Sequence, residues 1–269
     1  MKIIKGGTYT PGRRHYKFIQ KYLLCKQNNL LKHLVFNVTK GVGRSKSTGH
    51  ITIGNKGGGC KKLYRQLKFF NKPTLGVLLF TFYDPNRSSF VSLFFDFLTF
   101  KFSYVLTQKS LYAGSILGCT INKMFYKVGF RSRLKNHPNG AICSAVASGF
   151  FKTPQYALAA GTFCQLLQRD DEFCKVRLPS NQVITVSAYC FSTLGVVSNI
   201  YHNLTRMGKA GRNRLKGFRP HVRGIAKNPV DHPHGGRTPG GCDWVTPWGK
   251  PFRFRSTSRS KFKKIILVE

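Results

Sequence analysis

Hydrophobic positions along this chain fall in short runs. "LGVLLFTFY" (75–83), "FVSLFFDF" (90–97), "FSYVL" (102–106) and "YAGSILG" (112–118) are rich in Phe, Val, Leu and Tyr. Turn residues such as Asp84, Pro85 and Asn86 separate them, the signature of strands with tight connections. A second set runs from about 134 to 199: "GAICSAVA", "GTFCQLLQ", "FCKVRLP" and "QVITVSA", with "RDDE" and "PSNQ" between the last three. "KVRLP" and "QVITVSA" alternate with period two, as half-buried hairpin strands do. Long helical periodicity is nearly absent. The pattern predicts a mainly β fold of small barrels rather than a parallel sheet.

The flanks differ. Residues 1–60 are basic and irregular, and "GVGRSKSTGHITIGNKGGGCKKLYR" carries seven glycines. This reads as an arm that becomes ordered on a partner. The glycines at 57–59 let a backbone approach something closely. The G-x-x-x-x-G-K-[ST] spacing of a phosphate loop is not met. Residues 202–269 hold half of the twelve prolines and 16 basic residues against 3 acidic ones. They read as an extended tail shaped by a polyanion. The expected organisation is a basic extension (1–60), a first barrel (61–133), a second barrel (134–201) and a basic Gly/Pro-rich extension (202–269).

Charge sharpens this. The chain has 269 residues, with 45 Lys and Arg against 8 Asp and Glu, a net charge of +37. No acid precedes Asp84, none lies between Asp96 and Asp170, and none between Glu172 and Asp231. Such an excess points to nucleic acid ahead of an anionic membrane surface. The apolar stretch from Leu75 to Leu106 is interrupted by "YDPNRSS" and by Asp96, short of the roughly 18 residues of a membrane span. The start "MKIIKGGTYTPGRRHY" lacks a secretory signal or a long import leader. No two of the eight cysteines form a C-x-x-C pair, so buried free thiols in a reducing compartment are expected.

By these residues the chain resembles a family. "RMGKAGRNRLKGFRPHVRGIAKNPVDHPHGG" followed by "TPWGKP" is similar to the C-terminal region of the L-two family of large-subunit ribosomal proteins. "TPGRRHYK", "GRSKSTGHITIGNKGGGCKKLYR", "YDPNRSSFVSLF", "GAICSAVA", "AAGTFCQLLQRD" and "TLGVVSN" agree in order. The resemblance implies an OB-fold barrel, then an SH3-like barrel, with both termini extended into rRNA. It implies a non-enzymatic, primary rRNA-binding protein near the peptidyl-transferase centre that supports subunit joining, tRNA binding and peptide-bond formation. Its implied partners are large-subunit rRNA, other ribosomal proteins, the small subunit across an intersubunit bridge and, indirectly, tRNA; neither a membrane nor a homo-oligomer is expected. No catalytic cofactor is implied, and structural Mg2+ would be held mainly by rRNA. The chain departs from the family pattern at His50, Asn55 and Cys60, in "RTPGGCDWV" after the histidine motif, and between Phe69 and Leu79, where most of the usual charge is missing.

The stretch "KNPVDHPHGGR" (227–237) raises the question of chemistry. Pro229 and Pro233 push Asn228 and His232 toward extended backbone. Alternation along such a run would place His232 and His234 on one face and Asp231 on the other. That arrangement is awkward for an Asp–His couple, and the motif supplies no Ser nucleophile. Zinc on His232, His234 and Cys242 lacks the fourth ligand of a structural site. The family's suggested catalytic group would be His232, but a peptidyl-transferase centre is built of RNA, so the stretch reads as RNA contact. An RNA-acting enzyme using His232 and Asp231, or a free basic nucleic-acid or membrane binder, are the rival readings.

Arg212, Arg214, Arg219 and Arg223 lie among glycines and Pro220, as phosphate-binding forks do. Arg13, Arg14 and His15 after Pro11-Gly12 read likewise, with Arg44, Lys61, Lys62, Arg65, Asn228, His234 and Lys250 as further candidate RNA contacts. Tyr64 suits stacking on a base or packing in the core; Trp244 and Trp248 suit stacking or packing on the tail. Arg87 either reaches RNA or holds its turn through Asp84. The 23 Phe suggest an AT-rich coding genome, hence an organelle-encoded protein of the mitochondrion, with a plastid or a bacterial cytoplasm as alternatives.

Overall fold

The period-two runs become strands. In the computed structural model, which describes residues 2–20, 24–25, 29–37, 42–121, 125–150, 152–236, 243–251 and 265–266, the strands run as follows. The amino-terminal region holds β1 (Ile3–Lys5), β2 (Lys17–Ile19), β3 (Val35–Asn37) and β4 (Leu63–Arg65). The first apolar set gives β5 (Thr74–Phe82), β6 (Val91–Asp96), β7 (Phe102–Leu106) and β8 (Ile116–Cys119). The second gives β9 (Arg131–Arg133), β10 (Ile142–Ser144), β11 (Val146–Ala147), β12 (Pro154–Tyr156), β13 (Cys164–Arg169), β14 (Phe173–Arg177), β15 (Val183–Ser187) and β16 (Phe191–Leu194), followed by β17 (Ile265–Ile266). Contacts divide the chain into two units, one of residues 1–39, 61–210 and 264–269, the other of residues 40–60 and 211–263.

The first unit is built on an eleven-stranded sheet in the order β17-β15-β14-β13-β10-β16-β9-β8-β5-β6-β7. Neighbours pair antiparallel except β8 with β9, which meet in parallel at Cys119 and Arg131. This is mainly β, consistent with an OB-fold barrel followed by an SH3-like barrel. In the second barrel β13, β14 and β15 form a meander. Along β14, Cys174 and Val176 point inward while Phe173 and Arg177 face out, the alternation that period two predicts. Leu134, Val146, Leu166, Val176 and Val186 pack there with Cys143, Cys164, Cys174 and Cys190. Burial pushes the Cys143 thiol far up and that of Cys164 to about 12, so both act as small apolar groups. Cys119 is buried too, but Cys25 and Cys60 are exposed, against the expectation of uniform burial; Cys242 lies outside the described residues. The first barrel packs Leu78, Phe94, Val105 and Leu117 on one side of β5–β8 and Phe82, Val91, Leu93 and Tyr104 in a second cluster.

The amino-terminal region is less irregular than its composition suggests. β1 pairs with β2 and β3 with β4, and the rings of Tyr16 and Phe18 stack at 5.0 Å. Between β1 and β2 lies a short helix α1 (Pro11–Arg14), with Pro11 at its start, where a missing N–H costs nothing. A second short helix, α2 (Ala210–Leu215), opens the carboxy-terminal region. Among the described residues, no helix is long and apolar enough to cross a membrane.

Candidate nucleic-acid interface

The second unit is the most basic part of the molecule, and glycine sets its geometry. The 40–60 segment lies against the 215–221 segment. Gly57 N–H donates to the Gly217 carbonyl at 3.0 Å, Cys60 N–H to the Leu215 carbonyl at 2.9 Å, and Arg219 N–H to the Asn55 carbonyl at 3.0 Å. Gly59 sits at φ +90°, and a Cβ there would come within 2.8 Å of the Gly217 nitrogen. Gly59 is therefore required by its own tail, where two backbones touch, while Gly58, with open space around it, is favoured by its φ of +66°. Asn55 Nδ2 and His221 Nδ1 meet at 2.6 Å, and the Lys56 ammonium lies 3.9 Å from the centre of the Phe218 ring. Asn55, one of the departures from the family pattern, thus joins the two segments.

On this frame Arg214, Arg219 and Arg223 are exposed, and Arg212 is partly so. Arg44 is exposed and donates to the Gly49 carbonyl at 3.0 Å, leaving most of its fork outward. Lys250 is exposed in the turn closed by its N–H on Thr246 Oγ1. Trp244 and Trp248 expose 64% and 62% of their surface, which favours a stacking platform over packing on the tail.

The histidine motif is not extended. Asp231 N–H donates to the Asn228 carbonyl at 3.0 Å and Gly235 N–H to the His232 carbonyl at 2.8 Å, two successive turns that each carry proline second. Proline presets the φ of that turn position, so the residues read as extending the chain instead fold it. Gly236 N–H closes the motif on the Lys227 carbonyl at 3.0 Å. A Cβ on Gly235 would collide with the Asn228 carbonyl, so glycine is obligatory there. His232 is buried, 8% exposed, with its ring against the Cα of Gly224. Its Nδ1 accepts the His234 N–H at 3.0 Å, which leaves the proton on Nε2 in the neutral ring. Burial, His234 and Lys227 together hold its pKa below the ordinary imidazole value. The two imidazoles do share a side, 4.7 Å apart, and Asp231 and Asn228 are exposed away from the buried ring. His234 Nε2 reaches the Asp243 carbonyl at 2.8 Å. Among the described residues, no group of three His, Cys, Asp or Glu side chains is placed to hold a metal; Cys242 is not among them.

The first unit presents a separate basic site. Arg13, Arg14 and His15 are exposed on α1 and just after it. Lys17 and Arg206 exchange backbone hydrogen bonds at 3.0 Å, and a Cβ on Gly208 would meet the Gly12 carbonyl. This brings exposed Arg206 and Lys209 beside the α1 residues. Sequence reading passed over this pair, although the "RMGKAG" glycines that permit the approach were visible.

Lys61 is exposed and Lys62 partly so, but Arg65 is placed otherwise than expected. It is 5% exposed, with Nη1 at 3.8 Å from the carboxylate of fully buried Asp84. Arg87 Nε donates to the same carboxylate at 2.7 Å and its Nη2 to the Arg65 carbonyl at 3.1 Å. Arg87 therefore holds its turn, and Tyr64, 5.6 Å beneath that guanidinium, packs on it while remaining partly exposed. A second buried arginine was not singled out at all. Arg131, 4% exposed, lies between the rings of Phe69 and Phe191 and donates to the carbonyls of Phe70 (2.8 Å) and Ala145 (3.1 Å). Desolvation lowers its pKa to about 10, and it serves as a cross-brace in the first unit.

The family described as "Ribosomal Proteins L2, RNA binding N-terminal domain" matches residues 31–119, and "Ribosomal Proteins L2, C-terminal domain" matches residues 127–249. The "Large ribosomal subunit protein uL2" of Phenylobacterium zucineum is 40% identical over 259 residues, covering 94% of this chain and 91% of that protein. Its namesake in Paracoccus denitrificans is 40% identical over 269 residues, 96% of this chain and 93% of the relative. That of Dinoroseobacter shibae is 38% identical over 265 residues, with the same coverage.

Proposed function

Because the chain belongs to the ribosomal protein L2 family, a structural, RNA-binding component of the large ribosomal subunit, we propose that it anchors large-subunit rRNA through two glycine-shaped basic sites. One is the exposed Arg214, Arg219 and Arg223 set of the second unit; the other is Arg13, Arg14, Arg206 and Lys209. The observation that carries this is the glycine-to-glycine packing of 57–60 on 215–217, which orders a loop whose arginines point to solvent instead of to acids. Arg forks presented on a fixed backbone suit paired phosphates. In this reading the chain supports subunit association across a bridge, tRNA binding and the order of the peptidyl-transferase centre, acts as a single copy without a membrane, and leaves Mg2+ to the rRNA phosphates.

The role proposed for His232 is positioning, not catalysis. Its Nδ1 is engaged by its own loop and its ring is packed on Gly224. The proposed location is the mitochondrion, with the gene in the organelle; the abundance of Phe supports it, while the bacterial relatives keep a bacterial cytoplasm as the alternative. The test of the RNA role is a salt titration of binding to large-subunit rRNA. Each neutralised phosphate contributes a log–log slope of roughly −0.7 to −0.9. Arg219→Ala with Arg223→Ala should weaken binding and flatten the slope by up to about two units. An unchanged slope removes both arginines from the phosphate contacts.

A further inference from the structure

One surface of the first unit is apolar, in a chain whose charge is strongly basic. Phe102, Phe95, Val77 and Ile116 stand in register across β7, β6, β5 and β8. They lie on the face opposite the buried Leu78 and Phe94. Phe97, the first residue past the end of β6, is 42% exposed, Phe102 41% and Ile116 51%. Phe100, in the β6–β7 turn, is 76% exposed. The rings of Phe97, Phe100 and Phe102 surround that of Phe95 at 5.1–6.3 Å. Counting roughly 200 Å² for each large side chain, the open area is on the order of 400 Å², the size of patch that marks an interaction site.

The turn is built to display this cluster. Buried Asp96 accepts from Leu98 N–H at 3.0 Å and from the Thr99 hydroxyl at 2.7 Å, and its carbonyl accepts Phe100 N–H at 2.9 Å. Phe100 is held at φ +53°, a conformation that glycine or asparagine adopts far more readily than a bulky aromatic residue. The strained position carries a phenylalanine that points to solvent.

Charge identifies the occupant. From Lys72 to Phe102 the chain holds three basic residues, Lys72, Arg87 and Lys101, against two acids, Asp84 and Asp96, a local charge of +1 within a chain of +37. Arg87 is itself engaged by Asp84. A phosphate backbone finds little counter-charge there beyond Lys101 and Lys72 at its margins, whereas an uncharged apolar surface does not require one. We infer that the Phe95–Phe102 hairpin face docks an apolar surface of a second protein of the large subunit. This inference rests on the chain's place in that subunit.

The test is in-particle photo-crosslinking with p-benzoyl-phenylalanine at position 100 of the full chain. Large subunits are purified at high salt, irradiated and digested with ribonuclease. The expected result is a ribonuclease-resistant adduct with one defined large-subunit protein, in fixed ratio to the chain. In a second arm, Phe97→Ser with Phe100→Ser lowers that protein's occupancy in the particle at least threefold and leaves rRNA affinity and salt slope within twofold of the wild type. An adduct removed by ribonuclease assigns the face to RNA and overturns the proposal, as does an adduct with a second copy of the chain or incorporation without any adduct. A chain that fails to enter large subunits overturns the ribosomal reading itself, and this inference with it.

Discussion

Asp84→Asn should unfold the first unit far more readily than its single-atom change suggests. The carboxylate is fully buried and is the counter-charge for two guanidinium groups, Arg87 at 2.7 Å and the 5%-exposed Arg65 at 3.8 Å. It also accepts the Asn86 N–H at 3.0 Å, which fixes the turn. The amide keeps the volume and one acceptor but leaves Arg65 as a buried cation without its neutralising charge. Breaking a buried pair in this way costs about 3–5 kcal/mol. At about 2–4 °C per kcal/mol for a chain of this size, Tm falls by roughly 6–20 °C. The assay is thermal and denaturant unfolding of the purified full chain without RNA, at fixed salt. Arg65→Met should destabilise the wild type but recover stability in the Asp84→Asn background, because it removes the stranded charge. If Arg65 has only this structural role, Arg65→Met also leaves the salt slope of rRNA binding unchanged. A loss below about 1 kcal/mol for Asp84→Asn, or a further loss in the double variant, would refute the buried-pair reasoning.

Three further outcomes are expected. His137 is fully buried, its Nε2 held by the hydroxyls of Ser132 (3.1 Å) and Ser192 (2.8 Å), and desolvation lowers its pKa from 6.5 to about 4; between those values the unfolded chain binds the extra proton, so stability is fully present above 6.5 and falls by about 3 kcal/mol as pH drops to about 4. Denaturant midpoints across pH should show this slope in the wild type and lose it in His137→Gln. Gly59→Ala places a Cβ 2.8 Å from the Gly217 nitrogen at a φ of +90°, so it should weaken rRNA binding at least tenfold, read by filter binding, while the unfolding of the first unit stays within about 1 kcal/mol of wild type. His232→Gln should assemble into large subunits that form peptide bonds within roughly tenfold of wild type with the same pH profile, whereas loss of a general acid–base typically costs about 10² to 10⁴ in rate; single-turnover peptidyl transfer across pH decides it.

Much of the β framework was legible because local pattern alone specifies it: "FCKVRLP" and "QVITVSA" became β14 and β15, β14 with the expected alternation and β15 with Val183 and Ile184 both buried. What was not legible depended on contacts between distant segments. Nothing near Arg65 announces that a carboxylate 19 residues away will bury it, and basic clusters give no sign of which member turns inward. The triple glycine signalled close approach, but its partner at 215–217 lies more than 150 residues on. In the histidine motif the prolines were seen to restrict the residues before them, while their other role, as second residues of the turns N-P-V-D and H-P-H-G, decided the conformation. Nothing in the sequence marks the phenylalanines around Phe95 as exposed, because period two cannot say which of two apolar faces is covered.

The claim that this chain is a structural, rRNA-bound part of the large ribosomal subunit is tested most directly by its distribution in a density gradient. An epitope-tagged full chain expressed in its own cell should migrate with large subunits and whole ribosomes at one copy per large-subunit rRNA, measured by quantitative mass spectrometry. It should remain there after a wash at a salt concentration that strips loosely bound basic proteins. A chain found at the top of the gradient, or released by that wash in variable amounts, would contradict the account.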